Sequence, residues 1–306
     1  MPCSGKRAME PCDTIKAGNL LGECILWDDE TQALWWTDIE GRRLCCFDWR
    51  SRSLASFATP ERLCSFGFVA GSTRLIAAFE SGFALYDPRS GAVDWLERLS
   101  IEGLRLNDGR VDRQGRFWAG GMAEREDAVG RAQLFCVDAE GRVHRRLGGL
   151  TISNGICWSP AGTTFYFTDS PGRVIWRYAF DPADGTLSGR ANFAEALAGA
   201  LPDGATVDAE GYLWSAQWGA GRIVRYAADG RPDLVLEVPA SRPTCVTFAG
   251  PARDFLCVTT ARHGLSEAAL AGETGAGNVF VYNVGVQGLP EARYVFARGS
   301  QAGTAS

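Results

Sequence analysis

A chain of 306 residues with a net charge of −5 lacks the basic footprint that phosphate binding demands, which excludes nucleic acid as a partner. No run of about 18 apolar residues is present to cross a membrane as a helix, and the opening MPCSGKRAMEPC has no apolar signal core, so the expected compartment is the cytoplasm. The ten cysteines then read as free, mostly buried thiols, because Cys45, Cys46, Cys136, Cys157 and Cys257 fall inside strand patterns and no CxxC pair suggests a zinc ribbon.

Residues 1–11 and 298–306 are expected to be loose ends. Between them one unit recurs six times. Its first apolar stretch begins at Glu23, Cys64, Asn107, Asn154, Asp203 and Thr244. A second follows at Leu34, Leu75, Arg116, Thr164, Tyr212 and Phe255, across a turn that fits a hairpin. A third completes each unit: RLCCFD, GFALYD, QLFCVD, VIWRYAFD, RIVRYAAD and NVFVYN. The second stretches recur every 41 to 48 residues, room for about four strands each. No amphipathic helix of convincing length interrupts them. The prediction is an all-β, six-bladed β-propeller with four-stranded antiparallel blades, formed by residues 1–306 as a single domain and monomeric by default. One short strand from each terminal region is expected to complete a shared blade and remove two exposed sheet edges.

Inner strands of a propeller run in the same direction along its channel, so equivalent starts gather at one entrance. Glu23, Asn107, Asn154 and Asp203 occupy those starts in four blades. NDG, SNG and PDG are turn sequences in their own right, and a lone example would be only a turn. Their coincidence at one repeat position is what points to a site. Two carboxylates and two amides suit an oxygen-preferring divalent cation, and such a ligand set leaves places for water or substrate. The candidates are Ca, Zn, Mn, Mg and Fe(II). Nucleophilic catalysis has little support: there is no GxSxG elbow, and His144, in an EGRVHRR turn, and His263 read as surface or structural groups.

The segments LGECILWD, RLNDGRVDRQGRFWAGGM, ISNGICWS with FYFTDS, and LPDGATVDAEGYLW resemble the senescence marker protein/gluconolactonase family, also called regucalcin-like. The similarity covers about residues 18 to 290. It implies hydrolysis of a small-molecule sugar lactone with one divalent ion coordinated by Glu23, Asn154 and Asp203, and Asp203 as the base. Arg105 and Asn107, matching the family's RxND motif, would bind substrate. A substrate-contacting Glu of some members aligns here with Arg125, and the neighbouring Glu124 is the substitute by a one-residue shift. Arabinono-, xylono-, galactono- and gluconolactone are candidate substrates. The alternative is a non-catalytic calcium-binding propeller, against which Arg105 beside Asn107 argues, since a cation gains nothing from a nearby positive charge. Trp35, Trp36, Trp118, Tyr166 and Trp214 read as packing between blades, whereas Trp158 and Trp218 are candidates for the channel mouth.

Overall fold

The computed structural model describes residues 9–99 and 102–297. Six four-stranded antiparallel sheets are arranged as blades, the six-bladed propeller expected from the repeat. The inner strands are Gly22–Asp28, Leu63–Phe68, Leu104–Val111, Ser153–Trp158, Leu201–Val207 and Pro243–Ala249, and the blades are numbered one to six in that order. One short α-helix, Glu267–Gly272, stands among the described residues, in the loop between the second and third strands of blade six.

The ring closes through the N-terminus. Asp13–Ile15 pairs with Val279–Asn283 and forms the outer edge of blade six, with Asp13 opposite Val281. The expected C-terminal strand is absent among the described residues. Past Asn283 the chain instead crosses the end of the propeller where the first and second strands of each blade turn. Gly288 N–H donates to Arg253 O, Tyr294 N–H to Phe68 O and Val295 N–H to Gly115 O, while Ala70 N–H donates to Tyr294 O, so one or two backbone bonds to each of several blades stand in place of a ladder. Two residues explain the difference. Pro290 has no N–H to give a ladder, and Gly288 lies so close to Phe248 that a Cβ would sit 2.1 Å from the Phe248 Cβ. The loose ends fall almost wholly on residues 1–8 and 298–306, outside the described residues.

Blades pack through large rings. Trp36, Trp118 and Trp214 are fully buried, and the fixed placement of a polar acceptor makes this affordable for an indole N–H. Blades three and five use the same device: Asp112 and Asp208 each take two turn N–H groups on Oδ1 and the indole N–H six residues later on Oδ2, at 2.9 Å in both cases. The VDxxGxxW segments therefore close a hairpin and anchor a core ring with one carboxylate. Trp158 is a correction to the expectation, since it packs edge-on against Trp118 at 6.0 Å inside the blade core and does not reach the mouth. His144 lies in the outer strand Val143–Leu150 rather than in a turn, half-exposed with its Nε2 2.7 Å from Asp138 Oδ2, in keeping with the surface or structural role expected of it. All nine described cysteines are unpaired.

The crossing C-terminal segment also carries charge into the channel. Glu291 Oε1 accepts from Thr247 Oγ1 at 3.1 Å and pairs with Arg110 Nη2 at 3.2 Å, both side chains largely removed from solvent. Removing one partner of such a pair strands the other charge. Glu291→Ala is expected to lower unfolding free energy by about 3 kcal/mol, the usual cost of an uncompensated buried charge. Chemical denaturation checks it, and an unchanged midpoint would show that Arg110 finds other compensation.

Candidate active site

Every inner strand is irregular at the same level. Ladder pairing shifts between Glu23 and Leu26, Leu63 and Ser65, Leu106 and Gly109, Asn154 and Cys157, Pro202 and Ala205, and Pro243 and Val246. Such bulges re-aim side chains and are common beside active sites. The backbone pays locally for this: Gly155, after Asn154, has φ +66°, and Cys24, after Glu23, holds a similar φ of +46° despite its Cβ.

The irregular level faces a cavity of about 480 Å³. Glu23, Arg105, Asn107, Glu124, Asn154 and Asp203 all line it. A relay of hydrogen bonds orders one wall. Arg105 Nη1 donates to Asn107 Oδ1 at 2.6 Å, Asn107 Nδ2 to Asn154 Oδ1 at 2.9 Å, and Asn154 Nδ2 to Ser170 Oγ at 2.9 Å. Ser170 Oγ then donates to Pro202 O at 2.7 Å, the residue before Asp203. Both amides are thereby fixed in orientation, with the Asn154 oxygen keeping one lone pair free for a further partner.

The carboxylates are treated differently. Glu23 accepts only from its neighbour's Cys24 N–H, at 3.3 Å, and among the described residues no ion pair or side-chain donor reaches Glu23 or Asp203. Burial, then the charge of Asp108, pushes Glu23 from 4.5 to about 8. Burial, then the charges of Glu23 and Asp108, raises Asp203 well above its ordinary value. Positive charge is what this pair lacks. Glu23, Asp203 and the oriented Asn154 oxygen form a donor set of the kind that hard divalent cations prefer. The other two blade starts are structural. Thr244 Oγ1 donates to Gly22 O at 2.5 Å, and burial pushes the Cys64 thiol up to about 11, which makes it a poor nucleophile.

Several residues in or beside the cavity were not legible beforehand. Asp108 hides in NDG, where it reads as a turn former; here it accepts the Ile156 N–H at 2.9 Å, tying blade three to blade four. Arg62 and Glu40 line the cavity, as does His263, which was expected to be a surface or structural group; Trp218 lines it too, in keeping with its expected place at the channel mouth. A signal for Arg62 existed. It stands two residues before Cys64, as Arg105 stands two before Asn107, in the matched tripeptides RLC and RLN. The same position is Leu21, Ile152 and Leu201 in blades one, four and five, all lining the cavity. In blade six it is Arg242, whose guanidinium lies 5.1 Å from the Trp218 ring centroid. Glu124 is in the cavity, whereas Arg125 pairs with Glu102 and Asp127 in a half-exposed loop position.

Comparison with known proteins places this geometry. The family profile described as "SMP-30/Gluconolactonase/LRE-like region" matches residues 21–262. The chain is 36% identical to the 6-deoxy-6-sulfogluconolactonase of Pseudomonas putida, over 90% of this chain and 96% of that one. It is 38% identical to the L-arabinolactonase of Azospirillum brasilense, over 90% and 92%. The crystal structure of a calcium-binding protein, regucalcin, from Agrobacterium tumefaciens superimposes with a TM-score of 0.88 at 29% identity, covering 95% of this chain and 99% of that one.

Glu23 and Asp203 both hold protons more tightly in the fold than in the unfolded chain. With divalent ions removed by a chelator, the contribution of Glu23 to stability is intact below pH 4.5 and declines as pH rises toward about 8, and that of Asp203 declines in the same sense. Thermal melts in chelator are expected to show this fall, and Glu23→Gln is expected to flatten it. A wild-type curve that climbs over the same window, unaltered by the substitution, would contradict the placement of these charges.

Proposed function

Because the chain belongs to the SMP-30/gluconolactonase/LRE-like family, we propose that it hydrolyses a neutral sugar lactone to the aldonic acid with one divalent cation held by Glu23, Asn154 and Asp203. The observation that carries the proposal is the pair of carboxylates in one cavity with no ion-pair partner among the described residues, beside a wall of oriented hydrogen-bonding groups. The relatives named as lactonases for two different sugars support the reaction class and leave the sugar itself open.

When bound, a divalent cation supplies positive charge that relieves the carboxylate repulsion and draws electron density from a carbonyl oxygen. The chain's own residues do the rest. Asp203, ionised once the repulsion is relieved, takes a proton from water as the water oxygen adds to the lactone carbonyl carbon. The bond between that carbon and the ring oxygen then breaks, and the ring oxygen leaves as a hydroxyl by taking the proton that Asp203 had accepted, which returns Asp203 to its carboxylate. Arg105 retains Nη2 without a partner among the described residues, so it can donate to a substrate oxygen while Nη1 stays on Asn107. Leu21, Ile152 and Leu201 add apolar surface to the cavity for the carbon-bearing face of the ring. A role in binding a cation alone would leave the Arg105–Asn107–Glu124 wall without a purpose, which favours the hydrolytic reading.

The decisive experiment is pH-stat titration of pentono- and hexono-lactones with metal-stripped protein, each divalent ion being restored in turn against an ion-only blank. Restored turnover is expected, and Asp203→Asn is expected to lose at least about 100-fold in kcat, the scale of general-base catalysis. Tight binding of an ion with no rate above the blank would instead favour the calcium-binding alternative.

A further inference from the structure

Arg62 enters the cavity at the blade-two counterpart of Arg105, yet its guanidinium does not point at an empty space. It meets three carboxylates from three separate segments. Nη1 and Nη2 grip both oxygens of Glu124 at 2.6 and 2.9 Å, Nε donates to Glu80 Oε2 at 2.7 Å, and Nη1 reaches Glu40 Oε1 at 3.2 Å. Its own backbone N–H also donates to Glu80 Oε1 at 3.3 Å. On the other side of Glu124, Arg105 Nε stands 3.5 Å from Oε1. One carboxylate is therefore held between two guanidiniums, and the second of them begins the relay that runs through Asn107 to Asn154.

Three consequences follow from the chemistry. A bidentate Arg–carboxylate pair fixes the plane and position of both groups far better than a single contact does. Glu124, burial notwithstanding, is kept ionised by its bond to Arg62 and by the charges of Arg62 and Arg105, so it acts only as an acceptor in the cavity it lines. Arg62 is committed wholly to carboxylates, whereas Arg105 keeps Nη2 without a partner among the described residues, so the wall sets a donor beside the Glu124 acceptor, the pairing that the hydroxyls of a polyol ring can use.

We infer that Arg62 is a positioning residue for substrate: it locks Glu124 against Arg105 so that the two present one rigid acceptor and donor wall to the hydroxyls of a neutral polyhydroxylated ligand. This inference rests on the lactonase reading for its ligand class, but not for its test. Arg62 touches no reacting atom, and its loss acts through Glu124.

The test combines kinetics with equilibrium binding of an unreactive polyol. With D-glucono-1,5-lactone, Arg62→Gln is expected to raise KM by about tenfold, the loss of one charge-assisted hydrogen bond, while kcat stays within about twofold. Arg62→Lys, which keeps the charge without the fork, is expected to fall between the two and serves as the deciding variant if Arg62→Gln does not fold. In a Glu124→Gln background the Arg62→Gln penalty is expected to vanish; full additivity would overturn the positioning role. D-glucitol binding to the ion-loaded protein, followed by saturation-transfer NMR, is expected to weaken in parallel with KM. Absence of glucitol binding to the wild type, or binding unchanged in both Arg62 variants, would overturn the inference whatever the protein does to lactones. Wild-type protein that binds glucitol through Arg62 but turns over no lactone would sink the lactonase reading alone.

Discussion

The constraint on which the site depends is directional. Six inner strands start at the same end of the ring, and each breaks its ladder within the first few residues of that start. The uniform direction brings residues as far apart as Glu23 and Asp203 into one cavity, and the bulges turn their side chains inward. Neither effect would suffice alone. Regular pairing would alternate side chains between the two faces of each blade, while bulges in strands of mixed direction would scatter the polar groups over both ends.

Around that polar funnel the blades are almost wholly apolar, and the two environments meet over very few residues. Asn107 belongs to the relay, Asp108 raises its neighbours' affinity for protons, and Arg110 joins the buried pair with Glu291, all within the single inner strand of blade three. Leu106 and Val111 of the same strand belong to the hydrophobic core. One strand thus serves packing on one face and chemistry on the other. Gly204 shows how tight the junction is: a Cβ there would lie 2.7 Å from the Cys245 sulfur, so blades five and six touch directly beside Asp203.

Much of this was legible in the sequence because turn chemistry and apolar stretches recur with a fixed period. The six units, their three inner strands and the starts at Glu23, Asn107, Asn154 and Asp203 follow from alignment of the chain with itself. What escaped lacks a period. The C-terminal segment from 284 to 297 makes only one or two backbone bonds to each of several blades, a pattern with no alternation to detect. Asp108 was masked by a tripeptide that forms turns elsewhere, and Trp158 by a position that looks equivalent to a mouth residue but points into the blade. Arg62 was within reach, since RLC and RLN differ in one letter, but the eye follows the polar third residue and blade two has a cysteine there.

The segment that crosses the far end of the ring has a consequence for traffic. Residues 289–292 lie beneath Arg110, Val111, Cys157, Thr206 and Val207, so the channel is stoppered below the irregular level. The propeller is a well and not a tunnel. Among the described residues, what reaches Glu23 and Asp203 comes through the cavity that Arg62 and Trp218 also line, and it leaves by the same way before the next molecule can enter. Arrival and departure exclude each other by architecture, and a spent ligand lingering at the rim competes directly with a fresh one.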